Sequence, residues 1–312
     1  MRSAGPGGAE PFWNLTAASR RPDGSWHLAY GNGGAIGPLL AGTEHVAPFA
    51  CYRCPYGYPE RDGQPDLDLC KMTCANMLRY VLEKEGDVAA VIAEPARAVP
   101  YIPPPGFWAA VRQACDDVGA LLIFDEIPTG LGKTGRMFAC DHDGVVPDIL
   151  VMGKGLGGGM PVAAIHVGPK AEGCFDYREQ NGVVHATTLG GNCLSMAVAA
   201  AVLDTIEQDN LIAHAQRLGD HAIARLRKFA ETHPCITAVR GKVLFIGVEL
   251  DLEKAGLPFK DAGELAQHAL LKHHLIINAC QGNVLRIAPA MVITQDEFDE
   301  GLTLLENILT GA

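Results

Sequence analysis

A chain of 312 residues that is 48 % hydrophobic and 20 % charged can bury a real core, and its length suits one large domain or two smaller ones. A formal net charge of −11 argues against recognition of a phosphate backbone, which calls for a basic face. Apolar runs stop well short of a membrane span, and Met1–Leu15 lacks the charged-then-apolar order of a signal peptide, so a soluble cytoplasmic protein with neither nucleic-acid nor membrane partners is expected.

Residues 1–45 are rich in Gly, Pro, Ala and Ser, show no clear period and are expected to be an irregular N-terminal segment. Residues 46–74 form a Cys-, Pro-, Tyr- and Gly-rich connection. A helix is predicted next over "CANMLRYVLEKEG", with Met77, Leu78, Val81 and Leu82 at helical spacing and Gly86 as its stop. Strands and helices then alternate. "VAAVIAEP" (88–95), "ALLIFDEI" (120–127), "DILVMGK" (148–154) and "PVAAIHVG" (161–168) read as buried strands, and "PPGFWAAVRQACDDVG" as a helix with a Phe107, Val111, Ala114, Val118 stripe. Apolar runs buried on both faces and separated by a helix predict an α/β fold with a mostly parallel sheet.

From Asn192 the pattern turns helical, first over "NCLSMAVAAAVLDTIEQDN" and then over "LIAHAQRLGDHAIARLRKFAETH". Beyond Pro234, "ITAVRGKVLFIGVEL" predicts two strands around Gly241-Lys242, "DAGELAQHALLKHH" a helix, "LIINACQGNVLRIAPAMVI" further extended chain, and "TQDEFDEGLTLLENIL" a last helix. Thr294 with Glu297 fits a capping box. The expected organisation is an atypical segment at 1–45, a large domain at 46–205, and an interdomain helix with a smaller α+β domain at 206–312.

Ligands of open parallel sheets gather at the carboxyl ends of strands, where Glu94, Asp125 and Lys154 all fall. A lysine desolvated there becomes a nucleophilic amine, and its most productive partner is an aldehyde, giving a Schiff base. Pyridoxal phosphate is the common aldehyde cofactor, and a carboxylate such as Asp125 opposite its ring nitrogen makes it an electron sink. The competing reading is a structural ion pair between Asp125 and Lys154 at the sheet rim.

The motifs around these residues bear on that choice. "ALLIFDEIPTGLGKTGRMFA", "GVVPDILVMGKGLGGGMPVAA" and "HATTLGGNCLSMAVAAAVL", followed by "VRGKVLFIGVEL" and "NVLRIAPAMVIT", resemble the core motifs of class III aminotransferases, in order, over about residues 45–312. The resemblance implies a fold-type-I pyridoxal-phosphate enzyme and a homodimer. It implies that Lys154 forms the Schiff base and shuttles the substrate proton. Asp125 would bind the pyridine nitrogen, with Glu126 beside it at the cofactor. Thr188 would reach the cofactor phosphate of a neighbouring subunit. Arg286 would clamp a substrate carboxylate, as a planar guanidinium can do bidentately, with Glu94 nearby. His185 is expected at a subunit interface.

Two departures from the family pattern stand out. Pro128 replaces the usual Gln, which removes a contact to the cofactor ring. Neither the Gly-x-Glu-Ala phosphate loop nor the ring-stacking aromatic stretch is found before residue 45, so the large domain is expected to be incomplete. The functional expectation is a transaminase moving an amino group from an amine or amino acid to a 2-oxo acid. A pyridoxal-phosphate lyase or racemase and a truncated non-catalytic paralogue stay open beside it.

Other patterns are weaker. Gly132-Lys133-Thr134 suggests a P-loop, but that motif needs glycine where Ile127 stands. Cys51, Cys54, Cys70 and Cys74 have near-zinc spacing, leaving a four-sulfur site and free thiols in an ordered loop as alternatives, with no metal expected. Cys115, Cys140, Cys174, Cys193, Cys235 and Cys280 are expected as small core residues.

Overall fold

The computed structural model describes residues 43–61, 64–180, 182, 185–280 and 283–311, together with the backbone of two short paired strands, β1 (Ala18–Arg20) and β2 (Trp26–Leu28). The rest of the segment read as irregular lies outside the described residues. The chain divides into two compact units. One holds the described residues up to Pro95 with Pro103–Gly130 and Ala139–Asp204, and the other holds Ala96–Ile102, Leu131–Phe138 and the chain from Thr205.

In the first unit the cysteine-rich connection folds into a short helical turn at Cys51–Arg53, a hairpin of β3 (Glu60–Arg61) and β4 (Gln64–Pro65), and a single helical turn α1 (Leu67–Cys70). Helix α2 (Thr73–Glu85) stops at Gly86, whose φ of 71° gives the left-handed cap that glycine adopts without strain. Only Leu82 of its predicted stripe is fully buried, and Met77 is exposed.

The sheet follows. Strand β5 (Ala90–Ala93) pairs parallel to β6 (Leu121–Asp125), which pairs parallel to β7 (Ile149–Met152); β8 (Ala164–Val167) closes the edge antiparallel to β7. The short glycine-rich connection between β7 and β8 dictates that last orientation, because a parallel return needs a crossover of a dozen or more residues. Helix α3 (Phe107–Val118) provides the β5–β6 crossover. Its Trp108 donates to the Pro95 carbonyl at 2.9 Å and meets Phe49, Phe107 and Phe124 edge to face. Val118, predicted in the stripe, is exposed at the helix end. Ile123 and Ile149 pack with Ala171 of the one-turn helix α4 (Pro169–Glu172). The Asp148 carboxylate accepts from the Leu122 N–H at 2.7 Å and from Arg112 at 2.7 Å, fixing the starts of β6 and β7 side by side. Helix α5 (Cys193–Gln208) carries the chain out of this unit.

The second unit is antiparallel. After α6 (Leu211–Thr232) come β9 (Ile236–Lys242) and β10 (Phe245–Leu250), a one-turn α7 (Leu252–Ala255), α8 (Ala262–His273), β11 (Asn278–Cys280), β12 (Val284–Ile287) and α9 (Gln295–Thr310). The sheet order is β11-β12-β10-β9, and β10 is buried along its whole length. Leu218, Leu226, Leu244, Ile246, Leu285, Phe298 and Leu302 share one core. The capping box of Thr294 and Glu297 is formed as expected. The hairpin lies one step further on than Gly241-Lys242: Lys242 pairs with Phe245, so Val243 and Leu244 make the turn. Val243 accepts a φ of 57°, unusual for a β-branched residue, because its side chain is buried at 2 % exposure.

Gly219, in the middle of α6, lets that helix touch the turn. A Cβ there would fall 2.3 Å from the Val243 carbonyl carbon. Alanine normally gains about 1 kcal/mol over glycine inside a helix. Gly219→Ala is expected to cost about 2–3 kcal/mol instead, since the atom it meets is backbone; the shift of the urea midpoint measures it.

Candidate functional site

Because β5, β6 and β7 run parallel, their carboxyl ends share one edge of the sheet. Glu94 follows β5, Asp125 ends β6, and Lys154 lies two residues past β7. A doubly covered parallel sheet exposes new chemistry mainly at this edge.

Asp125 is 5 % exposed. Among the described residues the Ile127 N–H donates to its Oδ1 at 3.0 Å. Burial pushes its carboxyl up to about 6, against the pull of the Ile127 N–H and of the Lys154 ammonium in the other direction. The lysine is therefore within electrostatic reach of the acid. Lys154 itself is exposed, which corrects the desolvated lysine expected from the sequence. The flanking glycines shape this: Gly153 is extended, and Lys154 opens a 3-10 turn that ends at Gly157. Lys154 has a φ of 47°, a left-handed conformation costing a lysine on the order of 1 kcal/mol. The turn lifts the amine off the strand end instead of burying it.

Glu126 is placed differently from its neighbour. It is 2 % exposed, its Oε2 accepts from the Thr129 hydroxyl, and its Oε1 accepts from the Cys140 N–H at 2.9 Å. Both oxygens are engaged within the loop, so Glu126 braces the chain between β6 and the Ala139–His142 turn. Glu94 is 3 % exposed, not the solvent-facing strand-end acid that its position also allows. Thr188 and His185 lie on exposed chain before α5, with Thr188 in a turn.

Arg286 belongs to the second unit. It sits on β12, donates to the Ala98 carbonyl at 2.9 Å, and lines a cavity of about 390 Å³ together with Leu275, Asn278, Pro289 and Phe298. One of its five N–H donors is spent on Ala98, which leaves a fork suited to a carboxylate. Lys133 was absent from the expected site residues. Its Nζ donates to the Pro289 carbonyl at 2.6 Å, and burial holds its amine down at about 8. Only the discarded Gly-Lys-Thr pattern drew attention to it.

The four clustered cysteines line one apolar pocket with Phe49, Tyr56 and Tyr58. Burial, then the neighbouring thiols, push Cys51 up to about 12, and burial raises Cys74 to about 11. Raised in this way, Cys51 and Cys74 are poor thiolate nucleophiles. Among the described residues no group of three or more His, Cys, Asp or Glu is arranged to hold a metal ion. Of the scattered cysteines, Cys115, Cys140 and Cys235 are buried as expected, but Cys174 and Cys193 are exposed and Cys280 is half-buried. No helix among the described residues is long and apolar enough to cross a membrane.

A carboxyl group pushed up by burial binds a proton more tightly in the folded chain than in the unfolded one. Between about pH 4 and 6 the folded state then holds more protons, so stability falls as pH rises through that window. Asp125 is expected to contribute up to about 3 kcal/mol of such loss in cofactor-free protein. Urea midpoints measured across the window should flatten in Asp125→Asn.

The model of the family "Aminotransferase class-III" matches residues 40–309. The chain is 40 % identical over 273 residues to a leucine/methionine racemase of Thermococcus litoralis, covering 85 % of this chain and 59 % of the racemase. It is 35 % identical over 275 residues to an acetylornithine aminotransferase of Caldanaerobacter subterraneus subsp. tengcongensis, covering 88 % of this chain and 60 % of that protein. Among solved structures, the ornithine aminotransferase of Toxoplasma gondii with partial pyridoxal-phosphate occupancy superposes with a TM-score of 0.67 at 32 % identity, over 76 % of this chain and 54 % of that one. The chain thus spans about three-fifths of the length of the curated relatives it matches. A parallel strand ending in a buried Asp125, an amine within its electrostatic reach at Lys154, and above all a family match over residues 40–309 place this chain in the class III aminotransferases, pyridoxal-phosphate-dependent enzymes of fold type I.

Proposed function

We propose that this chain carries the cofactor and proton-transfer machinery of a transaminase that moves an amino group from an amine or amino acid to a 2-oxo acid. The single observation that carries the reading is the pairing at the sheet edge: a buried carboxyl with its charge unfavoured, and an amine close enough to act on it. Those two groups fit pyridoxal phosphate. With Oδ1 engaged by Ile127, Oδ2 of Asp125 could accept from a protonated ring nitrogen, and that positive charge would draw the carboxyl back towards the ordinary carboxylate range. When bound, the cofactor supplies a carbonyl that condenses with amines and a ring that takes up electron density from the substrate carbon.

The remaining work falls to the chain. Lys154 Nζ would be the amine that holds the cofactor, and the same nitrogen would carry a proton to and from the substrate carbon. Its exposure and left-handed backbone leave the side chain room to swing between those tasks. Arg286 orients a substrate carboxylate through the donors not spent on Ala98, and the buried Glu94 is a further substrate-binding acid. Thr188, on an exposed turn, is available to a phosphate in a second subunit, which makes a homodimer the functional assembly. Pro128 in place of the usual Gln leaves the ring without one side-chain contact.

Identity of 40 % to a leucine/methionine racemase favours one second reading. Racemisation needs the same proton transfer at the substrate carbon, but the amino group stays. The two separate cleanly when purified protein is given L-leucine with 2-oxoglutarate. A transaminase forms glutamate and the branched oxo acid; a racemase forms D-leucine with or without the acceptor; ammonia released without acceptor would mark a lyase. We expect glutamate.

Lys154→Ala should abolish the visible band of the protein–cofactor adduct, and borohydride treatment of wild type should fix the pyridoxyl group on the peptide carrying residue 154. Turnover should fall by at least about 10³-fold, in keeping with loss of both a covalent attachment and a proton carrier. An unchanged spectrum in the variant would remove the reading.

A further inference from the structure

The Gly132-Lys133-Thr134 stretch fails as a phosphate loop, yet its lysine is largely buried and points at one atom. The 131–138 turn is stiff. Gly132 donates to the Met137 carbonyl at 3.2 Å, Gly135 donates to the Gly132 carbonyl at 3.0 Å, and the Leu244 N–H donates to the Lys133 carbonyl at 3.2 Å. Leu131, Gly132 and Gly135 all have left-handed φ, at 60°, 91° and 87°. This turn meets the chain just beyond β12 at two places. Lys133 Nζ donates to the Pro289 carbonyl at 2.6 Å, and Gly132 lies so close to Met291 that a Cβ would come within 2.5 Å of its terminal methyl. Further along, His214 Nε2 meets the Ile293 carbonyl at 2.9 Å. The stretch between Arg286 and Ile293 is thus pinned from outside, and Arg286, Ile287, Ala288, Pro289 and Ile293 all face the cavity of about 390 Å³.

We propose that Lys133 is a positioning residue for substrate recognition: by tying the Pro289 carbonyl to a rigid turn, it fixes the end of the strand that presents Arg286 to a substrate carboxylate. The proposal rests on the assignment of Arg286 made above. An ammonium buried against a carbonyl pays a desolvation cost. Burial alone accounts for the lowered basicity of Lys133. The return on that cost is directional: a charge-assisted bond is short and resists bending, which a Leu or Met packed in the same place would not supply. The bond bridges 156 positions of sequence, so it restrains the strand end in a way that no local contact can.

Two measurements on full-length protein decide the matter, using Lys133→Met, which keeps the apolar stem, and Lys133→Arg, which keeps a charged donor. In hydrogen exchange, amides over 286–293 should exchange about tenfold faster in Lys133→Met than in wild type, with partial rescue in Lys133→Arg and no change in α2 or α3. Unchanged protection over 286–293 overturns the proposal whatever the activity. In kinetics, Lys133→Met should raise KM about tenfold for an amino-acid donor while kcat changes less than about threefold, and should leave KM unchanged for the corresponding amine lacking the carboxylate. Equal effects on both donors, or none, overturn it. Arg286→Ala is the control for the underlying assignment. If it leaves the preference for the carboxylate-bearing donor intact, or if wild type turns over neither donor, the reading of Arg286 falls and the proposal falls with it; if Arg286→Ala erases the preference while Lys133→Met does not, only the role of Lys133 falls.

Discussion

A carboxyl group held out of water at the end of a parallel strand is the constraint on which the site depends. Asp125 cannot ionise there cheaply, and the one cation acting on it among the described residues, Lys154, stands on an exposed turn and offsets burial only in part. Such a group is a poor structural ion pair, because the pair would be stronger with the lysine packed down on it. It is a good receptor for an external positive charge that arrives with its own hydrogen-bond donor. The parallel order of β5, β6 and β7 makes this possible by bringing three strand ends to one edge, and the bracing of Glu126 by Thr129 and Cys140 keeps the adjacent acid out of competition.

The second unit solves a different problem with different means. Its antiparallel sheet needs no ligand to complete it, since β10 is buried end to end and α6 and α9 supply a continuous apolar core. The residue proposed there for substrate recognition, Arg286, projects from β12. The tether from Lys133 to Pro289 and the bond from Arg286 to Ala98 both end on backbone carbonyls. Carbonyl partners hold an arginine or a strand end in place without neutralising it, so a basic side chain stays available to an anion.

Much of this was legible in the sequence because the relevant signals are local. Gly86 ends α2, Thr294 and Glu297 cap α9, and the apolar run of β6 ends at the acids. The order Asp125 then Lys154 at successive strand ends followed from strand period alone. What escaped was set by tertiary packing. The hairpin turn slid to Val243 because burying that side chain outweighs its poor backbone conformation, and no propensity scale encodes that exchange. Met77 and Val118 fit helical stripes yet lie exposed, as periodicity does not say how wide the covered face is. Lys154 was expected to be buried because apolar runs flank it, but the glycines that follow let the chain turn out. Lys133 gave no interpretable signal, since its partner is a backbone carbonyl 156 positions away.

The left-handed backbone of Lys154 has a consequence for how this position responds to change. Glycine would adopt that φ without strain, so the amino acid best for the turn is not the one that occupies it. A glycine there, which destroys the amine, can therefore leave the protein as sturdy as before, or sturdier. Folding screens would rank such a variant as healthy, and only a chemical readout would register the loss.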